Sequence, residues 1–167
     1  MENIPYEIER KFLIAYPDSD FIKAVEDNSS IVQTYLKSEN GISERVRKRG
    51  KDGKFVFTHT VKKRISDVRR IEFEDEISQE EYLELLNRAD SDRNVIYKNR
   101  LCYYYNEQMF EIDLYPFWSD RAVMELELKD EAQSIDFPKD IHIIKEISSD
   151  RRYTNASMAR EIPQDEI

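Results

Sequence analysis

Polar and apolar residues alternate along much of this chain, and in seven short stretches the polar side chains two residues apart are mostly of like charge. Residues i and i+2 of a β-strand point to the same face, so each stretch predicts a strand with one charged face. The opposite face of many of these strands is apolar. The seven stretches are Glu7–Lys11, Arg45–Arg47, Thr60–Lys62, Glu72–Glu74, Lys98–Arg100, Glu111–Asp113 and Glu125–Glu127.

Turn and cap signals divide the chain into eight predicted strands and three predicted helices. The strands are predicted at 5–14, 31–38, 42–49, 54–63, 69–77, 93–105, 108–115 and 121–129. The helices are predicted from Asp18 or Ser19 to about residue 28, from the cap at Ser78 to about residue 89, and from Ser149–Asp150 to about residue 161. Because short turns join most of the strands, the order predicts an antiparallel α+β domain.

The charged faces favour a closed barrel over an open sheet. In an open sheet these faces would be solvated, whereas eight strands closed into a barrel enclose a lumen that holds side chains or one small ligand. We therefore expect an eight-stranded antiparallel β-barrel, a tunnel with a charged lumen, flanked by about three helices in a single domain over residues 1–167. The residues predicted to pack outward against the helices are Ile8, Phe12, Val46, Phe73, Ile112, Leu114, Leu126 and Leu128.

Composition narrows the class of protein. The net charge of −9 argues against a long nucleic acid as the main partner. Cys102 is the only cysteine, so no intramolecular disulfide is possible. No apolar run approaches the length of a membrane span, and the start of the chain lacks a secretory pattern. We expect a cytoplasmic protein that does not associate with membranes and is a monomer or homodimer.

Acidic strands beside basic strands indicate a site for bound ions. Mg²⁺ prefers carboxylate and phosphate oxygens, and the arginine fork suits phosphate. Phosphoryl transfer needs mainly positioning and charge stabilisation. A metal complex of a polyanion, with Mg²⁺ and triphosphate as the obvious candidate, is therefore the predicted ligand. The two histidines, His59 and His142, make a histidine-based metal site a poor alternative.

Two motifs and the order of the charged pairs resemble the CYTH domains, also called triphosphate tunnel metalloenzymes. Glu7-Ile8-Glu9-Arg10-Lys11 resembles the ExExK motif that opens this family, and Asp150-Arg151-Arg152-Tyr153-Thr154-Asn155 looks like its D-x-R-Y-x-N segment. The series of basic and acidic pairs between them follows the family pattern, so the resemblance spans nearly the whole chain. It implies an eight-stranded tunnel that binds a triphosphate along its axis with Mg²⁺ or Mn²⁺.

The resemblance also implies roles for individual residues. The implied metal ligands are Glu7, Glu9, Glu72, Glu74, Glu111, Asp113, Glu125 and Glu127. The implied phosphate contacts are Arg45, Arg47, Lys62, Lys98, Arg100 and, at the tunnel mouth, Arg152. Lys11 and Glu9 are the implied catalytic residues, with Lys11 positioning or polarising the attacking water. The chain departs from the family pattern at Thr60, where many relatives carry lysine, and at Arg151, where proline is frequent.

Other polar residues have simpler interpretations. Arg10 has the opposite parity to Glu7 and Glu9, so it is expected on the barrel exterior. Arg49 shares the parity of the basic pair on its strand but lies near a turn, which leaves its side open. Cys102 is either a lumen residue or a small packing residue.

The functional prediction is divalent-metal-dependent hydrolysis of a small-molecule triphosphate. Inorganic tripolyphosphate, cleaved to pyrophosphate and phosphate, is the favoured substrate because no second motif for a base or ribose is evident. Two alternatives stay open. One is an adenylyl cyclase or a nucleoside or thiamine triphosphatase, and the other is a non-enzymatic module that binds triphosphate or polyphosphate.

Overall fold

The computed structural model of the protein describes residues 4–167, in which a closed antiparallel β-barrel is the main feature. The first three residues of the predicted domain lie outside this part. The strands are β1 Tyr6–Ala15, β2 Asn28–Tyr35, β3 Ile42–Lys51, β4 Lys54–Arg64, β5 Arg69–Ile77, β6 Ile96–Tyr105, β7 Gln108–Leu114, β8 Arg121–Leu128 and β9 Ile143–Glu146. The α-helices are α1 Ser19–Ala24, α2 Gln79–Leu85 and α3 Asn155–Met158, with 3₁₀ turns at Leu86–Arg88 and Arg151–Tyr153.

Eight strands form the ring in the order β1-β5-β4-β3-β2-β6-β7-β8, and β8 pairs with β1 again. The seam between β1 and β5 is short, since only Tyr6–Ile8 pair with Arg69–Ile71. Farther along the same edge, Phe12–Ile14 of β1 pair with β9 instead. The predicted eight-stranded α+β barrel is confirmed, with β9 as an additional strand that the alternation did not predict.

Apolar residues on the outward face of the barrel pack under the short helices. Phe21 and Ile22 of α1 cover a cluster that includes Phe12, Ile112 and Leu126. Tyr82 of α2 packs with Val46 and Leu36 on the other side of the barrel. Seven of the eight residues predicted to pack outward are buried in these clusters. The prediction is wrong for Phe73, which is 55% exposed on the outside of β5.

One end of the barrel interior is apolar. Leu13 and Val123 have the same parity as charged lumen residues of their strands, yet together with Tyr35 they pack with Tyr153 and Met158 of the C-terminal segment. The Trp118 indole Nε1 donates to the Pro163 carbonyl oxygen at 3.1 Å and ties the following segment to this cluster. The charged lumen is therefore confined to the rest of the barrel.

The helices are shorter than the sequence pattern predicts. Helix α1 ends at Ala24 because β2 already begins at Asn28. The predicted C-terminal helix is divided into a 3₁₀ turn and α3, since the Thr154 side chain accepts from the Ser157 amide and starts a new helix there. Across residues 4–167, no helix has the length and apolar character that crossing a bilayer requires.

Candidate functional site: a charged cavity inside the barrel

The barrel encloses a cavity of about 440 Å³ whose wall is made mainly of charged side chains. A volume of this size is in the range of small-molecule sites. Strand alternation brings the side chains together, because every other residue of the barrel strands points inward. The predicted site residues that line the cavity are Glu7, Glu9, Lys11, Arg45, Arg47, Lys62, Glu72, Glu74, Arg100, Glu111, Glu125 and Glu127.

Four arginines of the cavity wall were not predicted as site residues: Arg49, Arg64, Arg69 and Arg70. Arg70 lies two residues before Glu72 and shares its parity, and Arg64 lies two residues after Lys62. The alternation that identified the neighbouring residues therefore also carried the signal for these two. Arg49, whose side the sequence left open, contacts the lumen: its Nε donates to Ser29 Oγ at 2.9 Å, and its Nη2 lies 3.6 Å from Cys102 Sγ.

Three carboxylates converge on the Arg70 guanidinium. Its Nη2 lies 3.1 Å from Glu7 Oε2 and 2.7 Å from Glu9 Oε2, and its Nη1 lies 3.0 Å from Glu9 Oε1. Its Nε lies 3.2 Å from Glu72 Oε2. The barrel seam creates this group, because Glu7 pairs with Arg70 across β1 and β5.

The carboxylates of this group are incompletely neutralised. Burial, the hydrogen bond with Glu72 and its negative charge raise the pKa of Glu7 to about 7, although Arg70 opposes the shift. Burial also raises the pKa of Glu72, but Lys62, Glu7 and the nearby arginines outweigh it and lower that pKa to about 2. Glu7 therefore tends to be protonated. A further positive charge beside it would take the place of that proton.

The oxygen donors suit a hard divalent cation, although they do not form a ready-made cage. Carboxylates are the side-chain ligands that Mg²⁺ uses, usually one or two together with water and phosphate oxygens. Within the described residues, no three acidic, histidine or cysteine side chains are grouped as a metal site. Glu7, Glu9 and Glu72 instead surround the Arg70 guanidinium. The centre of the acidic cluster therefore already holds a cationic group.

Arg45 and Arg47 of β3 form the basic counterpart of the acidic cluster. They are 6% and 8% exposed, and within residues 4–167 neither forms an ion pair with a carboxylate. The Nε atoms of both are buried without a hydrogen-bond partner, and the Arg47 Nη2 donates only to Gln33 Oε1, at 3.0 Å. Burying a charge without a partner is costly, so this pair lacks an anion.

The neighbouring basic groups show the same shortage of negative charge. Burial and the positive charges of Arg45 and Arg100 lower the pKa of Arg47 below its ordinary value. Burial and the charges of Arg45 and Arg70 also lower the pKa of Lys62 to about 7, although its amine lies 3.2 Å from a carboxylate oxygen of Glu72. A bound polyanion would stabilise the charged forms of both residues.

Other predicted site residues are already paired. Lys11 Nζ lies 3.1 Å from Glu125 Oε1. Burial lowers the pKa of Lys11, but the charges of Glu125 and Glu9 outweigh it and raise the pKa above its ordinary value, so Lys11 is a cation. Arg100 Nη1 lies 2.6 Å from Glu111 Oε2, and its Nε lies 2.7 Å from Asp113 Oδ1.

Three predicted site residues lie outside the cavity wall. The side chains of Lys98 and Asp113 are wholly buried and pair at 2.7 Å. Burial raises the pKa of Asp113, but Arg100 and Lys98 outweigh it and hold that pKa well below its usual range. Arg152 is on the outer surface, where its Nη2 lies 2.8 Å from Asp150 and 2.7 Å from Asp165. Lys98 and Asp113 therefore lie behind the wall and Arg152 lies outside the barrel, so none of the three lines the cavity.

Two remaining polar positions agree with their parity. Arg10 is on the barrel exterior, with its Nε 2.6 Å from Glu146 Oε1 of β9. Thr60, which stands where many relatives of the suggested family carry lysine, donates from Oγ1 to Glu74 Oε1 at 2.9 Å. A neutral hydroxyl thus occupies this position and leaves Glu74 without that additional positive charge.

Solved structures of similar fold include a triphosphatase. NE1496, described as an inorganic triphosphatase, is 29% identical to this chain, with a TM-score of 0.58 over 94% of this chain and 96% of that one. PH1012 from Pyrococcus horikoshii OT3 is 23% identical, with a TM-score of 0.55 over 74% of this chain and 80% of its own. HpAC1 from Hippeastrum, a putative adenylyl cyclase with a dominant triphosphatase activity, is 13% identical, with a TM-score of 0.51 over the same shares.

These similarities carry different weight. The likeness to PH1012 and HpAC1 is a likeness of fold, whereas NE1496 is similar over nearly the full length of both chains. No protein-family model matches the chain, and no curated protein matches it either.

Proposed function

We propose that the protein is a CYTH-type triphosphate tunnel enzyme that hydrolyses inorganic tripolyphosphate to pyrophosphate and phosphate with Mg²⁺ or Mn²⁺. The observation that carries the proposal is the pair of buried guanidiniums, Arg45 and Arg47, that face the cavity without an acidic partner. Their cavity also contains the carboxylate cluster at Arg70. A phosphate chain with a divalent cation supplies both missing charges. The similarity to the inorganic triphosphatase NE1496 supports the same reaction.

The cavity residues would act mainly by binding and orientation. Arg45 and Arg47 offer forked N–H donors that match phosphate oxygens, and Lys62 adds a point charge beside them. Glu7, Glu9 and Glu72 would hold the metal. When bound, a divalent cation neutralises phosphate charge and lowers the pKa of a coordinated water. Lys11, a cation fixed by Glu125, would orient the attacking water and stabilise charge that develops on the phosphoryl oxygens.

Substrate choice is the first test. We expect tripolyphosphate to be cleaved with a higher kcat/KM than ATP, because the charged cavity wall suits phosphate and the sequence has no evident motif for a base or ribose. The measurement is initial-rate phosphate release from tripolyphosphate, ATP, GTP, thiamine triphosphate and long polyphosphate under matched Mg²⁺. A preference for ATP, or cyclic AMP as its product, would instead favour the nucleotide enzymes, and tight binding without any turnover would favour a binding module.

Metal removal is the second test. Hydrolysis should fall to background in excess EDTA and return when Mg²⁺ or Mn²⁺ is added beyond the chelator, because the carboxylates alone repel a polyanion. Phosphate release is followed in the same sample before and after each addition, and a sample with Mg²⁺–EDTA preformed is the control for the chelator itself. Undiminished turnover in excess EDTA would contradict a metal-dependent mechanism.

A further inference from the structure

We infer that Arg70 is an internal counter-cation, a positioning residue that holds Glu7, Glu9 and Glu72 together in the free protein and yields their oxygens to the incoming metal. The inference rests on the proposed function and concerns how the metal site is formed. Its consequence is that free metal ions bind weakly, whereas metal and polyphosphate strengthen each other's binding.

The contacts of Arg70 single it out among the cavity cations. Its guanidinium reaches all three carboxylates at 2.7–3.2 Å. Within the described part of the chain, it is the one basic side chain at ion-pair distance from Glu7 or Glu9. Lys11 pairs with Glu125 instead. The geometry of the acidic cluster therefore depends on Arg70.

A metal ion and Arg70 compete for the same oxygens. The two Glu9 oxygens, one Glu7 oxygen and one Glu72 oxygen already accept hydrogen bonds from the guanidinium. A cation that binds these atoms must displace N–H donors, and the cost of separating the pair reduces its affinity. This cost is specific to the carboxylates that Arg70 contacts.

The surroundings of Arg70 explain why a polyphosphate would remove that cost. Across the β4–β5 pairing, Arg64 lies opposite Arg70, and Lys62 lies opposite Glu72. Displaced by a metal alone, Arg70 would lose its hydrogen-bonded carboxylates to the metal and remain beside the positive charges of Arg64 and Lys62. Displaced by a metal together with a phosphate chain, it gains phosphate oxygens beside Lys62. Binding of the two ligands is therefore coupled, and the coupling is reciprocal.

The test is calorimetric titration of Mn²⁺ into the full-length wild-type protein, Arg70→Met and Arg64→Met. Without phosphate, Arg70→Met should bind Mn²⁺ at least about tenfold more tightly than wild type, the equivalent of one charged hydrogen bond. Arg64→Met is the matched control: Arg64 is also a cavity arginine on the adjacent strand, and its Nη1 donates to the Asp67 carbonyl oxygen at 3.4 Å. Its removal relieves only a longer-range repulsion and frees no carboxylate oxygen, so it should change Mn²⁺ affinity by less than about threefold.

A second titration measures the coupling. Imidotriphosphate, a tripolyphosphate analogue with nitrogen bridges, is present at saturation, and the gain in Mn²⁺ affinity that it produces is compared between the proteins. The gain should be at least about tenfold larger in wild type than in Arg70→Met. In the variant no guanidinium is displaced by the metal, so the phosphate oxygens have none to bind. If Arg70→Met does not fold by circular dichroism, Arg70→Lys replaces it, and its single amine should give an intermediate Mn²⁺ affinity.

The outcomes separate this inference from the proposed function. If the wild type hydrolyses tripolyphosphate with Mn²⁺ but the Arg70 variant binds Mn²⁺ no more tightly, the counter-cation role is wrong and the proposed function stands. Equal tightening in Arg70→Met and Arg64→Met would also overturn the role, because it would reflect net charge alone. If the wild type neither hydrolyses tripolyphosphate nor binds Mn²⁺ with the analogue, the proposed function itself fails.

Discussion

Replacement of Arg45 and Arg47 by alanine together should reduce tripolyphosphate affinity by at least about a hundredfold. Each guanidinium offers charged hydrogen bonds worth roughly 1.5–3 kcal/mol to a phosphate oxygen, and two such losses exceed the 2.8 kcal/mol or so that corresponds to a hundredfold change. The two side chains are buried and lack acidic partners in the described structure, so no internal ion pair is broken. Calorimetry with tripolyphosphate in EDTA measures the loss without turnover.

The melting temperature of the double arginine variant provides a second measurement. Because the substitutions remove two uncompensated buried charges, the melting temperature should stay equal or rise even as binding is lost. The matched control is Lys51→Ala with Lys63→Ala, which removes two positive charges from exposed positions of β3 and β4. Unchanged tripolyphosphate affinity in the double arginine variant, or an equal loss in the lysine control, would contradict the phosphate site.

Glu9→Gln should lower kcat for tripolyphosphate by roughly a hundredfold or more, because it removes a ligand charge from the metal cluster while keeping the shape of the side chain. Glu9 is the carboxylate that contacts Arg70 through both oxygens, so it lies at the centre of the cluster. Rates at saturating Mn²⁺ and substrate isolate the effect on kcat.

Glu146→Gln is the control for this substitution. Glu146 of β9 pairs with Arg10, which lies on the outside of β1, the strand that also carries Glu9. The amide variant therefore alters an ion pair of β1 without touching the cavity. Its kcat should stay close to that of the wild type. A Glu9→Gln enzyme that turns over at full rate would remove Glu9 from the metal site.

The charged alternation predicted the barrel and most of its wall because parity decides which face a strand residue points to. Parity does not give depth along the barrel axis. Lys98 and Asp113 have the parity of lumen residues, yet they pair behind the wall, and Leu13 has the parity of Glu9 but packs at the apolar end. Arg70 was missed although it shares the parity of Glu72.

Short segments without a clear period were the other source of error. β9 spans only Ile143–Glu146 and lies in an apolar run, so alternation could not reveal it. The segment at Arg152 matched a motif, but its side chain is held outside by Asp150 and Asp165. β9 forms by pairing with β1, far away in the sequence, which no local pattern describes. The position of Arg152 depends on two nearby carboxylates, which a motif match does not reveal.

The pairing of β1 has a consequence for the order of folding. The first strand of the chain has its neighbours at β5, β8 and β9, and its longest ladder joins Ile8–Ala15 to Arg121–Leu128. Contacts this distant form slowly, whereas hairpins such as β3–β4 form locally. During synthesis Glu7, Glu9 and Lys11 emerge well before Glu125 of β8, the partner of Lys11, and before the strands β8 and β9 that pair with β1. We therefore expect ligand binding to appear only after nearly the whole chain has emerged, so that a truncated nascent chain holds no functional part of the site.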